Sequence, residues 1–257
     1  MEQSEKQKHF VLVHGACHGA WCWYKVVTLL RSKGHRVTAL DMAGAGVHPK
    51  RLEELASFSD YSNPLLEFLA ALTSEERVIL VGHSLGGRCI SLAMERFPQK
   101  IEVAVFVSSF MPGPDTDNLA IRGEFYRQMD HMDCKLTFDN GDDKHPTSIL
   151  FGPKFLSNQL YQLSPPEDLA LATLLMRPII SAEFEEEITL SKENYGSVTR
   201  VYLICENDIV INQRFQNWAI EINPCDEVKM ISGADHMAMF SKPQELCSFL
   251  QEIAEKY

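Results

Sequence analysis

Long apolar runs and a surplus of basic residues are both missing from this sequence. No stretch approaches the length of apolar chain that crosses a bilayer, and the first residues are polar, without the apolar segment of a secretory signal. The net charge is −11 at pH 7, which argues against nucleic acid or an anionic membrane as a partner. We therefore expect a cytoplasmic protein.

Paired cysteines and dinucleotide motifs are missing as well. The seven cysteines are spread along the chain without a C-x-x-C pair, which predicts reduced and mostly buried thiols. The small-residue loop at 43–46 lacks the G-x-G-x-x-G spacing of a dinucleotide site. His14 and His18 are four residues apart but lack the HExxH context of zinc ligands. We therefore expect neither a cofactor nor a metal.

What the sequence does contain is an alternation of strands and helices. Short apolar runs rich in β-branched residues predict buried parallel strands, and amphipathic segments between them predict helices. We expect strands at 9–13, 35–40, 78–81, 103–107, 200–205 and 228–231, and helices at 23–32, 60–72, 88–97, 166–176, 213–220 and from 241 onward. The alternation is lost between about 115 and 194. This predicts one α/β domain over 1–257, with a core at 9–112 and 198–257 and an inserted cap at 113–197.

The most informative stretch is the G-x-S-x-G at residues 82–86, which lies between a predicted strand and a predicted helix. In that context the motif predicts a nucleophile elbow, a turn so tight that a Cβ at Gly82 or Gly86 would crowd the backbone. The turn lifts the hydroxyl of Ser84 above the sheet edge. Ser84 is therefore the candidate nucleophile.

A serine needs a base to become nucleophilic, and in this arrangement the acid and the histidine follow it in chain order. Asp208 comes three residues after the strand that ends at Cys205, with Glu206 and Asn207 as alternatives. His236 lies between the last predicted strand and the last predicted helix. We therefore predict a Ser84–Asp208–His236 triad.

The tetrahedral intermediate of such a reaction needs amide donors directed at its oxygen. One donor should be the N–H of Leu85, the residue after the nucleophile. The other should come from the loop after the first strand, and Ala16 is our choice there.

Several sequence blocks together resemble a plant methylesterase family that also includes salicylate-binding proteins, polyneuridine aldehyde esterases and hydroxynitrile lyases. The blocks are HFVLVHGACHGAW at 9–21, GHRVTALD at 34–41, GHSLGG at 82–87, FGPKF at 151–155, SPPEDLALA at 164–172, RP at 177–178, YGSV at 195–198 and GADHMAM at 233–239. The resemblance implies an α/β-hydrolase fold, with a mostly parallel central sheet flanked by helices and an inserted helical cap. It also implies no cofactor and a homodimer.

The resemblance further implies a serine esterase that cleaves the methyl ester of a small plant acid or alkaloid through an acyl-enzyme. We expect His14, Gly15 and Met237 to contact the substrate. Lyase relatives carry Thr at Gly15 and Lys at Met237, which disfavours the alternative of a carbon–carbon lyase or decarboxylase. A non-catalytic small-molecule binder is a third alternative. Arg88 departs from the apolar residue usual at its position, and its role is open at this point.

Overall fold

A computed structural model describes residues 7–117, 121, 123–125, 127, 129–139, 141, 146–180 and 188–257. Its strands are β1 (His9–Val13), β2 (Arg36–Leu40), β3 (Val78–Ser84), β4 (Ile101–Ser109), β5 (Lys135–Thr137), β6 (Ser148–Leu150), β7 (Ile179–Ile180), β8 (Arg200–Cys205) and β9 (Glu227–Ile231). Six of them form one parallel sheet in the order β2-β1-β3-β4-β8-β9. The strand order reverses between β1 and β3, and ligands of parallel sheets bind at the carboxyl edge of such a reversal.

The helices cover both faces of this sheet. They are α1 (Tyr24–Ser32), α2 (Phe58–Ala71), α3 (Gly86–Arg96), α4 (Pro153–Phe155), α5 (Pro166–Leu175), α6 (Gln213–Ile222), α7 (Ala238–Ser241) and α8 (Pro243–Lys256). Alternate residues of β1 point to opposite faces. Val11 packs in a cluster with α2 and α3, whereas Leu12 packs in a cluster with α1 and α8. The α/β-hydrolase architecture expected from the sequence is confirmed.

Helix α2 begins two residues earlier than the sequence pattern indicates. The Ser57 side chain caps it by accepting a hydrogen bond of 3.0 Å from the Asp60 N–H. Pro64 therefore lies inside the helix, beyond its first turn. A proline there leaves one carbonyl of the preceding turn without its helical donor. The cap at Ser57 outweighs the proline as the signal for where the helix starts.

The inserted segment contains a small sheet that the sequence does not predict. Strands β5, β6 and β7 pair in antiparallel fashion, β5 with β6 and β6 with β7. Each has only two or three residues, which is too short for a period-two pattern to stand out. Helix α5 occupies the position where an acidic N-terminus after proline predicts one. The inserted segment thus contains both strands and helices.

Free thiols and helix lengths agree with the sequence analysis. All seven cysteines are unpaired, and five of them are buried. Burial raises the pKa of the Cys17, Cys89 and Cys247 thiols to about 12, which keeps them protonated and unreactive. No helix in the described part of the chain has both the length and the apolar character to cross a membrane.

Polar contacts fasten the insertion to the core. The carboxylate of Asp168, on α5, is 1% exposed and lies 2.5 Å from the ammonium of Lys25 on α1. The Tyr24 hydroxyl donates to its other oxygen at 2.8 Å. At the far side, the Arg177 guanidinium donates to the carbonyls of Gly46 and His48. Because these partners are far apart in sequence, they hold the cap segment over the sheet edge.

We predict that Asp168→Asn destabilises the protein, because it removes the charged partner of Lys25 and of the Tyr24 hydroxyl. Hydrogen bonds to charged groups contribute about 1.5–3 kcal/mol, and solvent access at Lys25 brings the expected loss to about 1–2 kcal/mol. The corresponding fall in Tm is roughly 2–8 °C for a domain of this size, measurable by calorimetry. Asp115→Asn is the matched control, since Asp115 forms an exposed ion pair with Lys192. Equal effects of the two substitutions would contradict the anchoring role.

Candidate active site

The nucleophile elbow has the strained geometry that its sequence predicts. Ser84 has a φ of 53°, in the left-handed region that a side chain rarely adopts. A Cβ on Gly86 would lie 2.6 Å from the carbonyl oxygen of Val13, and one on Gly82 would lie 2.8 Å from the carbonyl oxygen of Gly86. The chain can turn here only because both positions lack a side chain. The turn brings Ser84 to the carboxyl edge of the sheet, at the start of α3.

An acid and an imidazole meet beside this turn. The Nδ1 of His236 donates to Oδ2 of Asp208 at 2.6 Å, and both side chains are almost fully buried. The other carboxylate oxygen of Asp208 accepts from the amides of Val210 and Ile211, at 2.7 and 2.9 Å. Since Nδ1 is held by the carboxylate, Nε2 is the nitrogen of His236 left to take a proton. This is the arrangement of a general base with its orienting acid.

Two neighbours of Asp208 were sequence alternatives, and the structure gives them other contacts. The Glu206 carboxylate accepts from the Gly233 N–H at 2.8 Å, and it is exposed. The Asn207 backbone N–H donates to the Ala234 carbonyl, while its own carbonyl accepts from Gln162. Both residues therefore brace the loop that carries His236. Among the three candidates, the hydrogen bond to the imidazole is made by Asp208.

Sequence reasoning missed Ser108, whose hydroxyl donates to the same Asp208 oxygen that holds His236. In the pairing of β3 with β4, His83 faces Val107 and Ser84 faces Ser109, so Ser108 is an extra residue on β4. Its φ of 37° confirms a local bulge. The bulge directs a buried hydroxyl toward the next strand. A serine at the end of an apolar strand gives no sequence signal for this role.

His83, inside the elbow motif, packs beside His236. Its Nε2 donates to the main-chain carbonyl of His236 at 2.8 Å, and the two rings lie 4.6 Å apart. Burial, with a smaller contribution from nearby His236, holds the pKa of His83 well below its usual range. A neutral His83 therefore fixes the position of the His236 backbone without competing for its proton.

A cavity opens over Ser84 and runs between the sheet edge and the cap segment. Its polar wall is made of few side chains, which are His18, His83, Ser84, Arg88 and His236. The rest of the wall is apolar and includes Phe58, Phe110, Phe125, Phe151, Ile149, Ile179 and Leu160. A small number of polar groups in an apolar enclosure is typical of a site for a small organic molecule.

The two expected oxyanion donors and one of the expected substrate contacts line this cavity, and the two other expected substrate contacts do not. Gly15, Ala16 and Leu85 are part of the wall beside Ser84. His14 is fully buried beneath it, and Met237 is fully buried in the cluster with α1 and α8. His14 and Met237 are therefore not part of the described cavity wall, and substrate contact by either residue stays a prediction. The Met237 side chain packs in the core cluster with α1 and α8, one residue after His236.

The histidines of the first loop are occupied by hydrogen bonds. His14 donates from Nδ1 to the Gly15 carbonyl at 2.8 Å and accepts from the Met42 N–H at Nε2. His18 donates from Nδ1 to the Ala16 carbonyl and accepts from the Tyr161 hydroxyl, both at 2.7 Å. Burial lowers the pKa of both rings, that of His18 to about 3. With both nitrogens engaged, each ring holds loops together and neither offers a free metal ligand.

Comparison with known proteins shows what this chain is similar to. Residues 10–249 match the sequence profile of the Alpha/beta hydrolase family. Methyl jasmonate esterase 1 of Vitis vinifera is 57% identical over 258 residues, which cover 98% of this chain and 99% of that protein.

Two solved structures are similar over nearly the whole chain. The crystal structure of polyneuridine aldehyde esterase has a TM-score of 0.91 at 42% identity, covering 97% of this chain and all of that one. The crystal structure of tomato methylketone synthase I with 2-tridecanone also has a TM-score of 0.91, at 50% identity, covering 98% and 99% of the two chains. Proteins with esterase and with synthase names thus share this fold.

His18 should make the stability of the protein depend on pH. Its ring is neutral when folded, with a pKa of about 3, and titrates near 6.5 when unfolded. Between these values the unfolded state binds the extra proton, so this group removes about 1.4 kcal/mol of stability per unit as pH falls. Urea unfolding from pH 6.5 to 4 should give a shallower pH slope for His18→Gln than for the wild type. A variant destabilised equally at every pH would contradict a proton-linked role.

Proposed function

Because this chain belongs to the Alpha/beta hydrolase family, we propose that it hydrolyses methyl esters with Ser84 as nucleophile, His236 as base and Asp208 as the orienting acid. The chain is a carboxylic ester hydrolase, similar over its whole length to a protein named methyl jasmonate esterase. The observation that carries the assignment of roles is the buried hydrogen bond from His236 to Asp208, beside a serine at a strained elbow. The substrate is the methyl ester of a small plant metabolite.

The first half of the proposed reaction forms an acyl-enzyme. The Ser84 oxygen attacks the ester carbonyl carbon while its proton passes to Nε2 of His236. Asp208 holds the Nδ1–H and stabilises the imidazolium that results. The backbone amides of Ala16 and Leu85, on the cavity wall, are the proposed donors to the oxyanion. When the intermediate collapses, the carbon–oxygen bond to the methoxy group breaks, and His236 returns the proton to methanol.

The second half releases the acid. Water enters the space left by methanol, gives its proton to His236 and attacks the acyl carbon. Collapse of this second intermediate breaks the bond to Ser84, which takes the proton back from His236. The product is a free carboxylic acid, and the enzyme is restored. Apart from water, the proposed transfers use only Ser84, His236 and Asp208.

The apolar character of the proposed acyl group follows from the wall that receives it. The wall facing Ser84 is built mainly from phenylalanine, isoleucine and leucine side chains, some from the core and some from the cap segment 113–197. Burial of apolar surface there favours a compact hydrocarbon acyl group. Salicylate, jasmonate, indole acetate and an alkaloid acid each present a largely apolar body to such a wall.

The lyase alternative is disfavoured by the space at Gly15. A Cβ there would lie 2.9 Å from the Ser84 Cβ and 3.1 Å from Nδ1 of His83. The threonine that lyase relatives carry would therefore press on the nucleophile. A lysine at the second lyase position, Met237, would be buried among apolar side chains at an electrostatic cost.

Two expectations from the sequence stand as further proposals. We place the enzyme in the cytoplasm, where its seven free thiols would stay reduced. We also propose a homodimer. This second proposal rests on the resemblance to the plant methylesterase family.

A panel of methyl esters, read out as released methanol, tests the proposed reaction. We predict turnover by the wild type and none by Ser84→Ala, with His236→Ala nearly as inactive and the double variant little worse, because the triad acts as a unit.

A fluorophosphonate should label Ser84 in the wild type and fail on Ser84→Ala. Labelling of another serine in that variant would refute the assignment. Wild-type protein that releases cyanide from mandelonitrile but no methanol from any ester would refute the esterase function.

The choice of acid is tested by comparing Asp208→Asn with Glu206→Gln. An asparagine at position 208 can hold the wrong imidazole tautomer, so kcat should fall by about 10⁴-fold. Glu206→Gln keeps an acceptor for the Gly233 N–H and should change kcat less than about threefold. Steady-state kinetics on one methyl ester measures both. A larger loss in the Glu206 variant would show that Asp208 is the wrong acid.

A further inference from the structure

One short turn of the cap segment contacts all three loops that carry the proposed catalytic groups. It consists of Tyr161, Gln162, Leu163 and Ser164, directly after Leu160, which lines the cavity. The Ser164 N–H donates to the Tyr161 carbonyl at 3.1 Å and closes the turn. We call residues 161–164 the cap turn. Its four residues lie outside the described cavity wall, so any effect on the reaction passes through the loops that it holds.

The cap turn holds the loop around His236 through a buried carboxylate. Oδ2 of Asp235 accepts from the Leu163 N–H at 3.0 Å and from the Ser164 hydroxyl at 2.8 Å. Its Oδ1 accepts from the Met237 N–H at 3.0 Å, and the residue is fully buried. Both chain neighbours of His236 are thereby tied to one another, and one of them is tied to the cap. The cap turn is therefore fixed relative to the base.

The acid loop joins the same unit. The side-chain amide of Gln162 donates to the Asn207 carbonyl at 2.8 Å, one residue before Asp208. The Asn207 N–H in turn donates to the Ala234 carbonyl at 2.8 Å, so the loops of the acid and of the base also bond to each other. Cap turn, acid loop and base loop are thus connected by direct hydrogen bonds.

Tyr161 reaches the opposite side of the site through His18. Its hydroxyl lies 2.7 Å from Nε2 of His18, and Nδ1 of that ring lies 2.7 Å from the Ala16 carbonyl. A carbonyl only accepts, so Nδ1 carries a proton. Burial lowers the pKa of His18 to about 3, so the ring is neutral and Nε2 is an acceptor. The Tyr161 hydroxyl therefore donates, and its donation favours the tautomer that holds Ala16.

The loop that Tyr161 reaches has a backbone that needs such support. Cys17, between Ala16 and His18, has a φ of 62°, in the left-handed region that a side chain rarely adopts. A strained conformation of this kind persists only where its surroundings hold it. The Ala16 amide is also the proposed donor to an oxyanion that exists only during the reaction, so a small displacement would weaken the stabilisation it gives.

We propose that Tyr161 is a positioning residue for the loop at 14–19, and that the cap turn holds the Ala16 amide in a fixed place relative to His236. The hydroxyl acts through His18. The inference rests on the proposed esterase function for the role of the Ala16 amide. It adds to that function a residue of the cap segment on which stabilisation of the transition state depends.

The test compares two variants that each remove one hydroxyl from a contact between cap and core. Tyr161→Phe keeps the ring, which stacks on His18 and Phe240 with centroids 5.9 and 5.6 Å away. Tyr24→Phe is the matched control, because the Tyr24 hydroxyl bonds to Asp168 on α5 at 2.8 Å instead of to these loops. Both are assayed for kcat and KM on one methyl ester.

Loss of a whole oxyanion donor costs about 10²–10³ in kcat, and a displaced donor should cost less. We expect Tyr161→Phe to lower kcat about five- to thirtyfold and to change KM less than about twofold, because the oxyanion forms only in the transition state. Tyr24→Phe should change both constants less than about twofold. Equal kcat values for the two variants, or a higher KM at unchanged kcat in Tyr161→Phe, would overturn the inference.

The route through His18 is tested by combining substitutions. In a His18→Ala background the hydroxyl of Tyr161 has lost its acceptor, so adding Tyr161→Phe should lower kcat by less than about twofold more. A further loss as large as that in the wild-type background would show that Tyr161 acts by another route and would overturn the inference.

Hydrogen exchange separates this inference from the esterase proposal, because it needs no turnover. In Tyr161→Phe the amides of residues 14–19 should exchange about three- to tenfold faster than in the wild type, the change expected for one lost hydrogen bond. Tyr24→Phe should leave their exchange unchanged. Unchanged exchange in Tyr161→Phe would overturn the inference, whether or not the wild type releases methanol. Faster exchange in that variant, with no methanol released by the wild type from any ester, would retain the positioning role and refute the esterase.

Discussion

The whole site depends on one close approach of backbone to backbone, between the start of α3 and the end of β1. Gly86 lies so near the carbonyls of Val13 and His14 that no side chain fits between them. This contact presses the elbow onto the neighbouring strand and forces Ser84 into its left-handed conformation. It also brings the loop after β1, with Gly15 and Ala16, beside Ser84, the proposed nucleophile. Strain at the serine is thus maintained by packing of the two ends of adjacent parallel strands.

The neutral histidines around the base explain why one imidazole differs from the others. His14, His18 and His83 each donate a proton to a main-chain carbonyl, which fixes the ring without changing the charge balance around it. His236 alone among these four donates to a carboxylate. Burial lowers the pKa of the other three rings and keeps them neutral, whereas the carboxylate holds the Nδ1–H of His236 and leaves its Nε2 for a proton. Similar rings therefore have separate tasks, set by the acceptor that each one meets.

The fold and the elbow were predictable because both follow from local signals. The strand at 200–205, the G-x-S-x-G and the order of Ser84, Asp208 and His236 are all visible in the sequence. Ser108 was not, because its role comes from a bulge created by the pairing of two strands. The burial of Met237 was not visible for a similar reason, since the path of a loop decides whether a residue faces the cavity or the core. The small cap sheet was missed because strands of two or three residues carry too little periodicity.

The Ser108 bulge has a consequence for how the protein could change during evolution or by engineering. Strands β3, β4 and β8 are neighbours in the sheet. Strand β3 ends at Ser84, β4 carries Ser108, whose hydroxyl donates to Asp208, and β8 ends just before Asp208. Their alignment is therefore fixed by the main-chain register of the sheet, whereas much of the wall around the acyl group comes from the insertion. Exchange of cap segments between relatives could then give new substrate ranges while the chemical machinery is inherited intact. The residues proposed to carry out the reaction and many of those that would recognise the substrate thus lie in different parts of the fold.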